Sequence, residues 1–215
     1  MIIATDQVRT RILETAGQLF AEKGFQAGTV REICRRADVN IAAVNYYFGD
    51  KERLYIESVK SAHGKVVSGM QGPDWPEGTP PAKKLAGFIH MFVTRLVDPA
   101  RPRWHAQLMM REMAQPTAAC AELVRDNIRP IAGILTGILE EVLPADLPAW
   151  KRFLVGISII SQCVIHCQNR PIIEQLAGPE NYSHFDADAL AEHITNFSLA
   201  AFGLREPLAA REVPS

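Results

Sequence analysis

Between Thr29 and Lys51 the chain gathers side chains suited to one kind of chemistry, hydrogen bonding to a polyanionic double helix with no covalent step. Asn45 carries a carboxamide that can bond the N6 and N7 edge of adenine bidentately in a major groove. Ala42 and Ala43 are small enough to let a helix backbone sit close to base edges, and the Tyr46 hydroxyl can reach a phosphate beyond the groove wall. Lys51 stands beside the amides of a helix start, where an anion collects, and Thr29 has the same opportunity one helix earlier. Asn40 is placed to cap the helix that carries Asn45 and so faces the same partner. Tyr47 is expected to be half packed, its hydroxyl outward. A tyrosine pair alone carries little weight, because short helices with aromatic residues are mostly just packed helices. The weight lies in the conjunction of cap, tight turn, small polar face and the run Tyr-Tyr-Phe-Gly-Asp-Lys.

A second set of candidates lies in "RPRWHAQLMMREMAQPT". At helical spacing His105, Met109 and Glu112 share one face, while Trp104, Leu108 and Arg111 share the neighbouring one. Methionines and a tryptophan can line an adaptable apolar pocket with His, Arg or Glu giving directional contacts. The same stripe is also what an ordinary amphipathic helix shows, its methionines in core and its charges paired or wet. Gln162 and His166 stand four apart in an apolar helix, and buried polar groups need partners. They bond either across an interface between two copies or to a ligand. Cys163, His166 and Cys167 are soft ligands within one helical turn, but no second CxxC or HxxxH pair completes a tetrahedral set, so no metal is expected. Buried free cysteines usually act as small hydrophobes; an oxidant response at Cys163 or Cys167 is the alternative. No cofactor is expected. A helical enzyme is the remote reading, since the chain has no Gly-rich phosphate loop, no G-x-S-x-G, no H-E-x-x-H and no convincing acid pair.

The elements that must position these residues are helical throughout, with no alternating strand pattern of useful length. Thr5 or Asp6 is expected to cap a first helix with an apolar face of Val8, Ile12, Ala16, Leu19 and Phe20, stopping at Gly24. Thr29-Val-Arg-Glu32 matches a capping box that opens a second helix with Val30, Ile33, Cys34 and Ala37 inside. After Asp38-Val39, Asn40 caps a third helix, Ile41 to Phe48, whose Ile41, Val44 and Phe48 should face inward. A fourth runs from Lys51 to about Val67. The stretch "SGMQGPDWPEGTPP", residues 68–81, reads as a linker. Five more helices are expected near 82–97, 102–114, 117–143, 149–169 and 186–204, with Pro130 kinking or breaking the third of them.

At 215 residues and 47% hydrophobic content the chain can bury a substantial core. Residues 1–65 hold 10 Lys+Arg against 8 Asp+Glu, while the remainder is net acidic, which makes the front the half that meets a polyanion. The start, "MIIATDQVRT", lacks the pattern of a secretory signal. The longest uncharged run, Phe153 to Cys167, is too short for the roughly 20 apolar residues of a membrane span. Four scattered cysteines suit a reducing cytoplasm.

Two short helices around a tight turn, flanked by longer ones, form a helix-turn-helix plan. On the runs "ILETAGQLFAEKGF" and "TVREICRRADVNIAAVNYYFGDKERLY", residues 8–60 resemble the N-terminal domain of the TetR family of bacterial one-component transcriptional regulators. The resemblance implies phosphate contacts at Thr29, Tyr46, Tyr47 and Lys51, and base reading at Arg31, Ala43 and Asn45. Asn45 stands where the family often has tyrosine, and Tyr47 where it often has histidine, which leaves the preferred base sequence open. "REMAQPT", "VRDNIRP" and "SIISQCVIHCQNRP" resemble the C-terminal domain of a CerR-type subgroup. The expected class is therefore all-α. An N-terminal three-helix helix-turn-helix DNA-binding domain would occupy residues 1–50, with a connecting helix at 51–67. A larger helical ligand-binding and dimerisation domain would occupy 68–215. By the same resemblance the protein is a ligand-responsive regulator, a homodimer joined through 149–169 and 186–204. It would bind a palindromic operator in double-stranded DNA as a repressor and leave it when an apolar or amphipathic small molecule binds. The alternative is a DNA-binding dimer controlled by cysteine oxidation or a protein partner.

Overall fold

The computed structural model describes residues 2–67 and 74–204. The first part of the expected linker, residues 68–73, and the polar end after Leu204 lie outside them. Among the described residues the chain is helical, without strands: α1 (Ile2–Ala27), α2 (Val30–Ala37), α3 (Ile41–Phe48), α4 (Lys51–Val67), α5 (Pro81–Val97), α6 (Arg103–Ala114), α7 (Ala118–Leu123), a π turn (Val124–Ile128), α8 (Arg129–Val142), α9 (Ala149–Gln168), α10 (Arg170–Tyr182) and α11 (Ala187–Ala201). They form two compact units. The first joins α1–α4 with residues 100–130, hence α6, α7 and the π turn; the second joins α5 with α8 from Ile131 onward and α9–α11.

In the first unit Ile12, Leu19 and Phe20 of α1, Ile33 of α2, Val44 of α3, Leu54 of α4 and Leu108 of α6 are fully buried together. Each such side chain contributes about 1.5–3 kcal/mol when removed from water. The Phe20 and Tyr55 rings meet edge to face at 5.0 Å, which locks α1 onto α4. α1 breaks where the sequence says it should: Gly24 adopts φ 77°, a conformation that costs glycine little. Its start differs from expectation, since the helix already runs from Ile2 and Thr5 and Asp6 fall inside it rather than capping it.

The second unit packs Leu85, Phe88, Ile89 and Phe92 of α5 against Ile159 and Cys163 of α9 and Leu190 and Ile194 of α11, and also buries Leu135 and Leu139 of α8. Phe88 and Phe92 stack at 5.9 Å. Gly156 of α9 faces α8, where a Cβ would stand in ordinary contact with Leu139 at 3.5 Å.

Two features depart from the sequence reading. Pro130 does not break its helix. The turn before it widens so that the Arg129 amide donates to the Val124 carbonyl, five residues back, and helical structure continues through the proline. And α10 fills a stretch where no helix was expected. It is interrupted at Gly178 (φ 76°) ahead of Pro179, and none of its residues is fully buried, so it offers no core stripe to read.

Candidate nucleic-acid interface

The reading face is built by local bonds. Thr29 has the extended backbone of a cap, and its Oγ1 accepts the Glu32 amide at 3.2 Å. The other half of the expected capping box is absent. Glu32 does not turn back; Lys23 at 2.8 Å and Arg36 at 2.9 Å take its carboxylate and hold its pKa below the usual range. α2 ends on Asp38, left-handed at φ 50°, the one non-glycine residue with positive φ among those described. Asn40 then opens α3, its Oδ1 accepting the Ala43 amide at 2.9 Å. Asp50 repeats the device for α4, accepting the Arg53 amide at 2.7 Å.

α3 is thereby pinned by Val44 and Phe48, both buried, and turns Ala42, Asn45 and Tyr46 to solvent. Tyr46 is 80% exposed. Tyr47 is half-buried, its ring edge-on to Tyr46 at 5.0 Å, as expected of a side chain with its body packed and its tip wet. Two positions differ from the helical-wheel reading. Ile41 was expected inside but is 52% exposed. As the first residue of a two-turn helix its side chain leans back past the helix start, beyond the neighbours that cover Val44. Ala43, expected fully outward, is half-buried at the core's edge.

The polar groups retain hydrogen-bonding capacity for a partner. Thr29 Oγ1 accepts in the cap, so its own proton remains to donate. Lys51 Nζ spends one donor on the Gln26 carbonyl at 3.2 Å and lies 4.7 Å from the Phe25 ring centre, leaving two donors. Arg31 is exposed, and so is Arg35 one turn on, which the sequence reading passed over although the spacing of four puts both on one face. Among the described residues neither has an ion pair, whereas Arg36 is tied to Glu22 and Glu32. The surface can therefore donate to phosphates from Thr29, Tyr46 and Lys51, and to base edges from Asn45 and an arginine, without unmaking its own fold.

The ligand candidates are placed differently. Trp104, His105, Leu108 and Met109 pack into the core of the first unit, with His105 and Leu108 fully buried. Arg111 donates from Nε to the Ala21 carbonyl at 2.6 Å and from Nη2 to that of Glu22 at 2.8 Å, satisfying the end of α1. Glu112 is buried and accepts from the Tyr55 hydroxyl at 2.8 Å and from the Thr117 amide at 2.8 Å, which anchors the start of α7. Burial first, and the hydrogen bond to Glu112 second, push the Tyr55 phenol well above its ordinary range. Gln162 and His166 belong to the second unit. Gln162 donates to the Ser158 carbonyl at 3.3 Å, and His166 meets the Phe185 ring edge-on at 6.3 Å. Burial, then the charge of His193, hold the His166 imidazole below its ordinary value. An open groove of about 460 Å³ between α5 and α11 is lined by Lys83, His90, Asp188 and Glu192 among others, and by none of the eight candidates. Cys163 is fully buried, and burial pushes its thiol up to about 12.

Comparison with known proteins agrees with this geometry. Residues 12–57 match the family model described as bacterial regulatory proteins, tetR family. Residues 81–202 match the one described as HTH-type transcriptional dual regulator CecR, C-terminal domain; the subgroup expected as CerR-type is thus the CecR one. The chain is 25% identical over 217 residues to the HTH-type transcriptional repressor NicS of Pseudomonas putida, covering 93% of each. It is 45% identical over 56 residues to the HTH-type transcriptional dual regulator CecR of Shigella flexneri, 26% of this chain and 25% of that protein. Among solved structures, a tetR-family bacterial regulatory protein from Rhodococcus RHA1 superposes with a TM-score of 0.66 at 21% identity, over 89% of this chain and 95% of that one, a likeness of fold. No helix among the described residues is long and apolar enough to cross a membrane.

Proposed function

The chain belongs to the TetR family of bacterial transcriptional regulators, with a CecR C-terminal domain, and on that premise we propose that this DNA-binding regulator is a homodimeric repressor released from its operator by a small molecule. The observation that carries the DNA contact is α3: Val44 and Phe48 are sunk in the core while Ala42, Asn45 and Tyr46 face solvent beside Thr29, Arg31 and Lys51. Asn40 joins them through whichever of its amide protons point outward.

Dimerisation is supported by α9, where Trp150, Phe153, Leu154, Ile157 and Ile165 are exposed along one side of a helix otherwise anchored by Ile159 and Cys163. Phe197 of α11 is exposed as well. An apolar face of this kind in one copy is ready to meet its equivalent in a second. Two copies of α3 would then read half-sites about 34–36 Å apart, one DNA turn. A ligand acts on such a dimer only by binding its DNA-competent and DNA-incompetent states with different affinity. Control by cysteine oxidation is the weaker reading, because Cys163 is buried and its thiol is held protonated.

The test is fluorescence anisotropy of the full chain on DNA from its own upstream region, across a salt series. A saturable, pseudo-palindromic site is expected, with log affinity falling by about 0.9 per phosphate contact for each unit of log salt. Binding that is flat in salt, or equal on every fragment, would overturn the reading.

A further inference from the structure

The open groove of about 460 Å³ between α5 and α11 lies in the second unit and takes no part in the DNA-facing surface. Its volume falls within the roughly 300–1,000 Å³ of small-molecule sites. Ala82 and Ala86 of α5 and Ala191 of α11 line it, and their short side chains leave a channel where longer ones would interdigitate. Both walls are fixed, since Leu85 and Ile89 on α5 and Leu190 and Ile194 on α11 are sunk in the core of the unit. The polar groups are set unevenly along it. His90 Nε2 and Asp188 Oδ1 meet at 2.8 Å. Glu192, one turn beyond Asp188 on α11, is exposed and makes no ion pair among the described residues. Lys83 stands seven residues before His90, about 10 Å along α5 at 1.5 Å per residue, and makes none either. Leaving the histidine aside, the lining carries two carboxylates against one ammonium. The groove also faces away from the side of α11 offered to a second copy. Thr195 and Leu199 line it, and each stands two residues from Phe197, about half a turn round the helix.

We propose that this groove binds an organic cation, an ammonium group carried on a short apolar body. Glu192 takes the ammonium in a charge-assisted hydrogen bond, and Asp188 adds its charge at the same end. Two carboxylates four apart on a helix repel each other, and a cation beside them removes that cost. The alanine floor and Leu199 take the apolar body out of water. Lys83 keeps the other end closed to a second positive charge, which favours a monocation over a diamine. The net negative lining disfavours an anion. The site deepens the release by ligand proposed above, by giving the ligand a charge. It rests on that reading for its regulatory meaning, though not for the binding itself.

The experiment uses the full chain, unfolded and refolded to strip any passenger, with hexylammonium chloride as the probe, hexanol as its uncharged match and sodium hexanoate as its anionic one. Calorimetry is expected to give saturable binding of hexylammonium and none of hexanoate, with hexanol at least tenfold weaker. Glu192→Gln is expected to weaken hexylammonium about tenfold, the loss of one charge-assisted bond. Lys83→Gln is expected to tighten it severalfold, a gain that a merely structural lysine would not give. Ala86→Leu, which fills the floor, is expected to abolish binding. Thermal melting followed by circular dichroism verifies that the variants fold. Glu192 and Lys83 are exposed, so their variants carry the test even where Ala86→Leu fails to fold. Equal binding of ammonium and alcohol, unchanged affinity in Glu192→Gln, or no saturable binding of hexylammonium at millimolar concentration would overturn the site. Anisotropy on operator DNA separates the two proposals. Hexylammonium that binds and leaves DNA affinity unchanged keeps the site and overturns its part in release. Release by a compound that acts equally on Glu192→Gln and Ala86→Leu keeps the release and overturns the groove as its site.

Discussion

Tyr46 and Lys51, both proposed to contact phosphate, stand differently in the fold, and that difference separates recognition from stability. The Tyr46 hydroxyl has no partner within the described residues and the ring is 80% exposed, so Tyr46→Phe should leave the urea midpoint within the roughly 0.5 kcal/mol of a neutral surface change. DNA affinity should nevertheless fall several-fold, and evenly across sequences, because a phosphate contact carries no base information. Lys51→Ala removes the bond to the Gln26 carbonyl and the contact over Phe25 as well. It should cost about 0.5–1 kcal/mol of stability and lower the salt slope by about one. Anisotropy beside urea melts decides: a Tyr46→Phe protein that unfolds early would mean the ring is structural. A second residue-scale effect belongs to His63 of α4, whose pKa burial first and Arg101 second push down to about 4, below its ordinary 6.5. Between those values only the unfolded chain binds the proton, so folded stability is complete above about 6.5 and is lost as pH falls towards 4. Urea midpoints at pH 7 and pH 5 should differ less in His63→Gln than in the natural chain; an unchanged difference would place the titration elsewhere.

At the scale of elements, α1 and α6 meet at a point that tolerates no added atom. A Cβ on Gly17 would lie 2.3 Å from the Trp104 ring, so the indole lies directly on the α1 backbone. Gly17→Ala should cost about 1–3 kcal/mol by overpacking, despite alanine's better helix propensity. Trp104→Leu in the same chain should recover part of that loss in thermal melts, because the two effects share one contact. A Gly17→Ala protein as stable as its parent would show the ring moves freely. This junction also explains what the sequence could disclose. The caps at Thr29 and Asn40 were legible because each bond spans three residues. The same holds for the break at Gly24, a matter of one backbone angle. The roles of Arg111 and Glu112 were not legible. Their partners are Ala21, Glu22 and Tyr55, which only the folded chain brings within reach. Hence residues that read as pocket donors serve as ties between helices. Ile41 misled because wheel periodicity takes no account of helix ends.

For the whole molecule the exposed side of α9 is the decisive surface. Trp150 is 63% and Phe153 65% exposed, and Leu154, Ile157 and Ile165 continue the same side. Scattered single apolar residues on a surface need no explanation, but five on one helix face do. α9 keeps its place through Ile159 and Cys163, which point the other way, and its long uncharged run is neither a buried core helix nor a membrane span. In the proposed dimer, charges placed on the exposed side should therefore leave the monomer folded and separate the copies. Phe153→Glu with Ile157→Glu is expected to halve the mass seen in sedimentation equilibrium while the helical circular dichroism persists. The effect on DNA follows from geometry, since a monomer reads one half-site and loses the advantage of binding two through a single rigid body. Affinity for the full operator should fall by about a hundredfold or more, towards that for an isolated half-site. A dimer mass that survives both glutamates would place the interface elsewhere. A monomer that still bound the full operator tightly would show that the two recognition helices need no protein contact to act together.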